Sequence, residues 1–217
     1  MSQSALCARI QADTALQQAG DLVPEIKLYL ATTPREILRE SALNRINRSE
    51  PPYWAFAWPG GQALARFILD NPDLVANKHV LDVGAGSGLA SIAAIMAGAS
   101  VAIANDIDPL SAAVAEMNGA ANHAAIEAST EDLLDRSVRA GLIVIGDLVY
   151  ETHLEARVHA FLLRAQAAGI PVLFGDRVSM RLPALPFKQI AEYETVVAPP
   201  LEDGYVEIAR VWHLAPA

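Results

Sequence analysis

The sequence predicts an α/β fold: a mostly parallel sheet with helices on both faces, closed by an antiparallel hairpin. Three observations predict it. Short apolar runs alternate with helical stretches between residues 79 and 174, the pattern of βα units joined by right-handed crossovers. Residues 80–88 read Val-Leu-Asp-Val-Gly-Ala-Gly-Ser-Gly, and Asn105-Asp106-Ile107-Asp108-Pro109 closes the next apolar run. Two final runs, 187–197 and 205–213, have a Pro199-Pro200…Asp203-Gly204 turn between them and no helix, which reads as a hairpin.

Taken in order, residues 1 to about 20 read as a loosely attached helix rich in Ala and Gln. From Ile26, apolar and polar residues alternate to Leu30, the mark of a half-buried strand. Residues 35–48 read as a short polar helix. The stretch 50–61 is dense in aromatics, prolines and glycines and is assigned to a loop, because Pro and Gly break regular structure. Helical periodicity begins at Gln62, with Leu64, Phe67 and Ile68 on one face. Strands are then expected at 79–83, 100–104, 125–128, 142–146 and 171–174. Helices are expected at 89–97, 109–122, 133–139 and 155–168. Pro109 suits the first turn of its helix, where the missing N–H costs nothing. The division expected is an extension over residues 1–50 and one domain over 51–217.

The chain has 217 residues, 53% apolar, enough to bury a sizeable single core. The lone cysteine, Cys7, excludes an internal disulfide and a cysteine-based metal cluster, so a reducing, cytoplasmic setting is the default. No apolar run reaches transmembrane length, and the first residues lack a signal-peptide stretch. A formal charge of −9 argues against a non-specific nucleic-acid binder, which needs a basic face. A monomer is expected, with neither membrane nor nucleic acid as partner and no metal.

The glycine turn carries the chemistry. Backbone without a Cβ at Gly84, Gly86 and Gly88 permits close approach of a ligand, and an acid about 20 residues on can grip a ribose diol. A dinucleotide fingerprint is G-x-G-x-x-G; here its last position is Leu89 and the third glycine comes one residue early. No G-x-x-x-x-G-K-S/T is present. The Asp-x-Gly-x-Gly-x-Gly form, led by Asp82, resembles the S-adenosylmethionine loop of class I methyltransferases. That resemblance implies a Rossmann-like seven-stranded sheet.

Ligands in such sheets lie beyond the carboxyl ends of the strands. The first strand end offers Gly84, Ala85, Gly86 and Gly88. The second offers Asp106, favoured as the ribose ligand, with Ile107 beside it; Asp108 is favoured as a helix cap. The third offers Glu131 or Asp132 for an adenine amino group, or for the dipole of a following helix. The fourth offers Asp147 and Tyr150, an acid and a phenol where a methyl acceptor would lie. The aromatic stretch around Trp58 reads as a cover for the cofactor or a wall of the acceptor channel. Asp176 is within reach but has no assigned role.

Asp147-Leu148-Val149-Tyr150 also matches the (D/E)-x-x-(Y/F) element of methyltransferase family 16. Within that family, the stretches Trp58-Pro59-Gly60-Gly61-Gln62-Ala63-Leu64 and Asn105-Asp106-Ile107-Asp108-Pro109 are most similar to the electron transfer flavoprotein β-subunit lysine methyltransferases. The resemblance implies methylation of lysines on that β subunit, with Asp147 and Tyr150 at the acceptor and Gly84, Gly86 and Asp106 at the cofactor. The chain departs from the pattern at Ser87, at Arg139-Ala140-Gly141 and at Arg177-Val178. The alternatives are methylation of another acceptor, such as a ribosomal protein or small amine, a nicotinamide-dependent oxidoreductase, or an S-adenosylmethionine-binding interaction module.

Overall fold

The computed structural model describes residues 3–36, 52–149, 152–177, 184–199 and 206–217. Helix α1 (Gln3–Asp13) leads into a hairpin of β1 (Thr14–Gln18) and β2 (Lys27–Ala31). A 3-10 turn at Tyr53–Ala55 precedes α2 (Pro59–Asp70). Alternation then begins: β3 (His79–Val83), α3 (Leu89–Met96), β4 (Val101–Asn105), α4 (Pro109–Ala121), β5 (Glu127–Ser129), β6 (Leu142–Gly146), α5 (Thr152–Ala167) and β7 (Val172–Arg177). The chain closes with β8 (Lys188–Thr195) and β9 (Glu207–Leu214).

The main sheet has seven strands in the order β5-β4-β3-β6-β7-β9-β8. The first five are parallel, while β9 runs antiparallel to β7 and β8. The strand order reverses between β3 and β6, so their carboxyl ends flank the crevice where ligands bind in doubly wound sheets.

Two cores clamp the sheet. On one face, Leu64 and Ile68 of α2 and Ile92 of α3 pack with Ile26, Leu28 and Leu30 of the hairpin segment. On the other, Val158, Phe161 and Leu162 of α5 pack on Ile143, Ile145 and Phe174. A third cluster joins Ile10, Ala31, Trp54, Phe56 and Val114.

Several expectations need correction. Residues 1–20 are not one loose helix. The helix stops at Asp13, where the β-branched Thr14 turns its hydroxyl back to the Ile10 carbonyl (2.7 Å), and Ile10 and Ala19 are fully buried. Residues 133–139 form turns and coil, not a helix. Leu134 is buried in the second core, and Arg164 of α5 donates to the carbonyls of Leu134 and Arg136, so the segment is held from outside. The first strand of the closing hairpin is shorter than its apolar pattern: β8 ends at Thr195, and Gln62 takes the next carbonyl, that of Val196 (2.7 Å). The aromatic stretch is partly ordered, as a 3-10 turn and then the first turn of α2. The helix expected at 35–48 lies largely outside the described residues. Among the described residues no helix is long and apolar enough to cross a membrane.

Candidate active site

The crevice at the switch point is a cavity walled by the glycine loop, the aromatic stretch and the ends of β4 and β6. Gly84, Gly86 and Gly88 all have positive φ (73°, 52° and 78°), which a residue with a Cβ adopts only under strain. The loop is pinned by Gly84 and Ala85, whose N–H groups both donate to the Asn105 carbonyl (2.9 and 3.0 Å). Among the described residues, a Cβ on Gly86 would meet nothing nearer than Trp54 Cα at 3.9 Å, which leaves its face open for a ligand.

Asp82 supports this loop from behind. Its carboxylate accepts from the Ser91 N–H (3.1 Å) and hydroxyl (2.8 Å), tying β3 to α3. Burial pushes its pKa up to about 7. Asp106 lies forward, accepting from Gly86 N–H and Asp108 N–H, each at 3.0 Å. Burial raises its pKa, and those two donors oppose the rise. Asp108 caps α4 by accepting from Leu110 N–H (2.9 Å). Ile107 is 63% exposed on the cavity rim, an apolar surface offered to a ligand. Of the two adenine candidates, Asp132 lines the cavity, held by Arg157 at 2.9 Å. Glu131 turns away to Arg136 (2.9 Å).

At the other end, β6 delivers Asp147 in the left-handed region (φ 49°). Its Oδ2 accepts from Gly61 N–H at 3.0 Å and, with Gly60 N–H, caps the amino terminus of α2, where Trp58 supplies no side-chain cap. Burial raises its pKa to about 6, against those donors and Arg177. Asp176, one residue past the Gly146–Gly175 pair in β7, is 2% exposed. Burial first, then the charge of Asp147, pushes its pKa up to about 8. Arg177 stands over the Trp58 ring (5.9 Å) and 3.6 Å from Glu207. Among the described residues, Asp147 Oδ1, both oxygens of Asp176, Arg177 Nε and Glu207 Oε2 are buried without a hydrogen-bond partner. Unsatisfied buried groups are rare in proteins and call for a functional or structural explanation. Tyr150 lies outside the described residues.

Sequence reasoning missed Arg157 and Arg177 on the cavity wall, since a lone arginine carries no motif. It also missed Asn105, whose side chain donates to the Ser129 and Glu131 carbonyls (3.2 and 2.9 Å) and so shapes the β5 strand end.

Asp82, Asp147 and Asp176 all sit above the ordinary carboxylate value. Between about pH 4 and 8 these three groups therefore bind more protons in the folded chain than in the unfolded chain, and their contribution to stability falls as pH rises through that window. The thermal midpoint should be higher near pH 5.5 than near pH 8, and Asp176→Asn should flatten the upper half of the curve. A midpoint that climbs from pH 5.5 to 8 in differential scanning calorimetry would contradict these assignments.

Comparison with known proteins gives this geometry a family. The chain is 36% identical over 217 residues to the electron transfer flavoprotein beta subunit lysine methyltransferase of Rattus norvegicus, covering 96% of this chain and 84% of the relative. The chain belongs to this lysine methyltransferase family. The Xenopus laevis member is 36% identical over 202 residues, covering 90% of this chain and 81% of the relative. A family model described as Ribosomal protein L11 methyltransferase (PrmA) matches residues 63–146. In fold, the chain resembles the magnesium protoporphyrin IX methyltransferase of Synechocystis PCC 6803 with bound S-adenosylmethionine. The TM-score is 0.54 at 13% identity, over 99% of this chain and 92% of that one. The lysine methyltransferase family assignment makes the chain an enzyme with S-adenosylmethionine as its cofactor. The open face of Gly86 and the forward-facing Asp106 fit that cofactor.

Proposed function

We propose that the enzyme transfers methyl groups from S-adenosylmethionine to lysine ε-amines of the electron transfer flavoprotein β subunit, working as a cytoplasmic monomer. The observation that carries the acceptor side is Asp147 Oδ1, shielded from solvent on the cavity wall and without a donor among the described residues. A lysine amine supplies the missing N–H. The relatives' names supply the substrate.

In this reading the glycine-loop backbone, Asp106 and Ile107 hold the cofactor, and Asp132 with Arg157 borders its adenine. When bound, the sulfonium supplies an already activated methyl carbon. What the chain contributes is positioning and exclusion of water. Asp147 accepts from the amine and aligns its lone pair. Trp58 and Tyr53, which share a wall of the cavity, flank the lysine stem. The amine must be neutral to attack, and the ordinary lysine pKa is about 10.4; entry into a desolvated channel favours the neutral form. Tyr150 is assigned to the acceptor side with Asp147.

Purified enzyme, labelled S-adenosylmethionine and recombinant flavoprotein test the substrate. Label should enter the β subunit and disappear from its lysine-to-arginine variants. No label there, with strong labelling of another protein in the same extract, would remove this substrate. The cofactor half has its own test. Asp106→Ala removes a charge-assisted partner worth about 1.5–3 kcal/mol, so calorimetric titration should show S-adenosylhomocysteine binding weakened roughly 10- to 150-fold. Unchanged affinity would move the ribose elsewhere.

A further inference from the structure

Asparagine is a poor helix-interior residue because its side chain competes for backbone hydrogen bonds. Helix α4 nevertheless carries Asn118 at 0% exposure, and Asn122 follows one turn later as its C-cap. Both side chains reach segments far away in the chain, and Asn122 Nδ2 also donates to the Asn118 carbonyl at 2.7 Å.

Asn118 Oδ1 accepts from Tyr29 N–H at 2.7 Å, while its Nδ2 donates to the Ser87 carbonyl at 2.8 Å. Asn122 Oδ1 accepts from Lys27 N–H (2.8 Å), and its Nδ2 donates back to the Lys27 carbonyl (2.6 Å). Strand β2 pairs with β1 along one edge. Along the other, these two asparagines stand where a neighbouring strand would be, taking the outward N–H groups of residues 27 and 29. Of the two, Asn118 also reaches the glycine loop.

The same helix supports that loop sterically. A Cβ on Gly88 would come within 2.9 Å of Ala115 Cβ. The hairpin meets the cavity by a second route, since Tyr29 and Ala31 pack in the cluster that contains the cavity-lining Trp54, Phe56 and Trp58.

We infer that Asn118 is a positioning residue for cofactor binding: its amide fastens the amino-terminal hairpin to the glycine loop, so hairpin docking and cofactor occupancy stabilise each other. This rests on the cofactor reading above. Linkage of this kind is reciprocal: whatever one event does to the other is returned in equal measure.

A near-isosteric change separates the two bonds of this amide. Asn118→Asp keeps an acceptor for Tyr29 N–H but sets an oxygen against the Ser87 carbonyl. Asn122→Ala releases Lys27 and leaves the glycine loop untouched. Hydrogen exchange by mass spectrometry on the full chain, followed at peptides covering residues 27–31 and 84–90, separates the cases. Without ligand, Asn118→Asp should speed exchange mainly at residues 84–90, where its bond is lost, and Asn122→Ala only at residues 27–31. With saturating S-adenosylhomocysteine, the wild type should gain at least roughly fivefold protection at residues 27–31, the reciprocal of a coupling on the scale usual for linked sites. Titration should show affinity falling about tenfold or more in Asn118→Asp and less than about threefold in Asn122→Ala.

Unchanged exchange at 84–90 in folded Asn118→Asp, with wild-type affinity, would overturn the inference. If that variant does not fold, the wild type decides alone: no ligand-dependent protection at 27–31 overturns it, and a gain supports it. Failure of the wild type to bind S-adenosylhomocysteine at all would instead strike the cofactor reading. The ligand-free exchange comparison would then still decide whether Asn118 joins the hairpin to the loop.

Discussion

Asp147→Asn is expected to slow methyl transfer by roughly 100-fold or more, the scale on which one preorganised electrostatic contact acts in a dry site, while S-adenosylhomocysteine affinity stays within about threefold. Asparagine is the informative replacement. It tolerates the positive φ of this position better than most residues, and its amide oxygen still accepts from Gly61 N–H. The cap of α2 and the course of β6 are thereby kept, and the negative charge facing the amine is lost. Asp147→Ala would also strip the helix cap, worth about 1 kcal/mol, and would confuse loss of stability with loss of chemistry. Single-turnover rates and calorimetric titration on the same preparation distinguish the outcomes. An unchanged rate, or affinity lost as badly as rate, would take Asp147 off the acceptor side.

Gly175→Val is expected to cost about 3 kcal/mol or more, the upper end for overpacking, and to lower the thermal midpoint by roughly 6–12 °C for a chain of this size. A Cβ at residue 175 would run into the Gly60 carbonyl oxygen and fall 2.6 Å from Leu64 Cγ. Neither can retreat, because Gly60 belongs to the capped first turn of α2, and α2 lies directly on β7. The reverse contact is equally tight: a Cβ on Gly60 would run into the Gly175 carbonyl and fall 2.8 Å from Asp147 Oδ2. Gly61→Ala is the control. Its new methyl meets no atom of the described residues within 4 Å, so its melting temperature should match wild type or exceed it. Equal melting of Gly175→Val and wild type would mean that α2 and β7 are not so close.

The contact between α2 and β7 joins residues 115 positions apart in number only through the fold, and it marks the boundary of what was legible beforehand. The alternation of apolar runs announced the parallel strands, and β6 begins and ends where the pattern says, because a strand buried on both faces must be apolar throughout. The loop 84–88 and Asp106 were legible for a similar reason: a nucleoside site at a strand end needs backbone without Cβ atoms and an acid at fixed spacing. The turns at 133–139 were not legible. Their polar pattern suits a helix start, and the arginine that holds them belongs to α5.

By itself the sequence determined the α/β class, the order along the chain of the strands of the main sheet, the glycine cradle, Asp106 at the second strand end and the family. Each rests on local rules of side-chain period, turn chemistry and spacing along a few residues. Only the tertiary structure decided that Asp82 braces the loop through Ser91, that Asp132 and not Glu131 faces the cavity, and that Asp147 caps a helix 86 residues away. It also decided that the chain from Ile10 to Ala31 is part of the core and not a loose appendage, with Asn118 bridging the hairpin and the glycine loop. The physical reason is common to all of these. Hydrogen bonds and burial are settled by what the fold brings together across long stretches of chain, and a side chain's own neighbours in sequence do not record it.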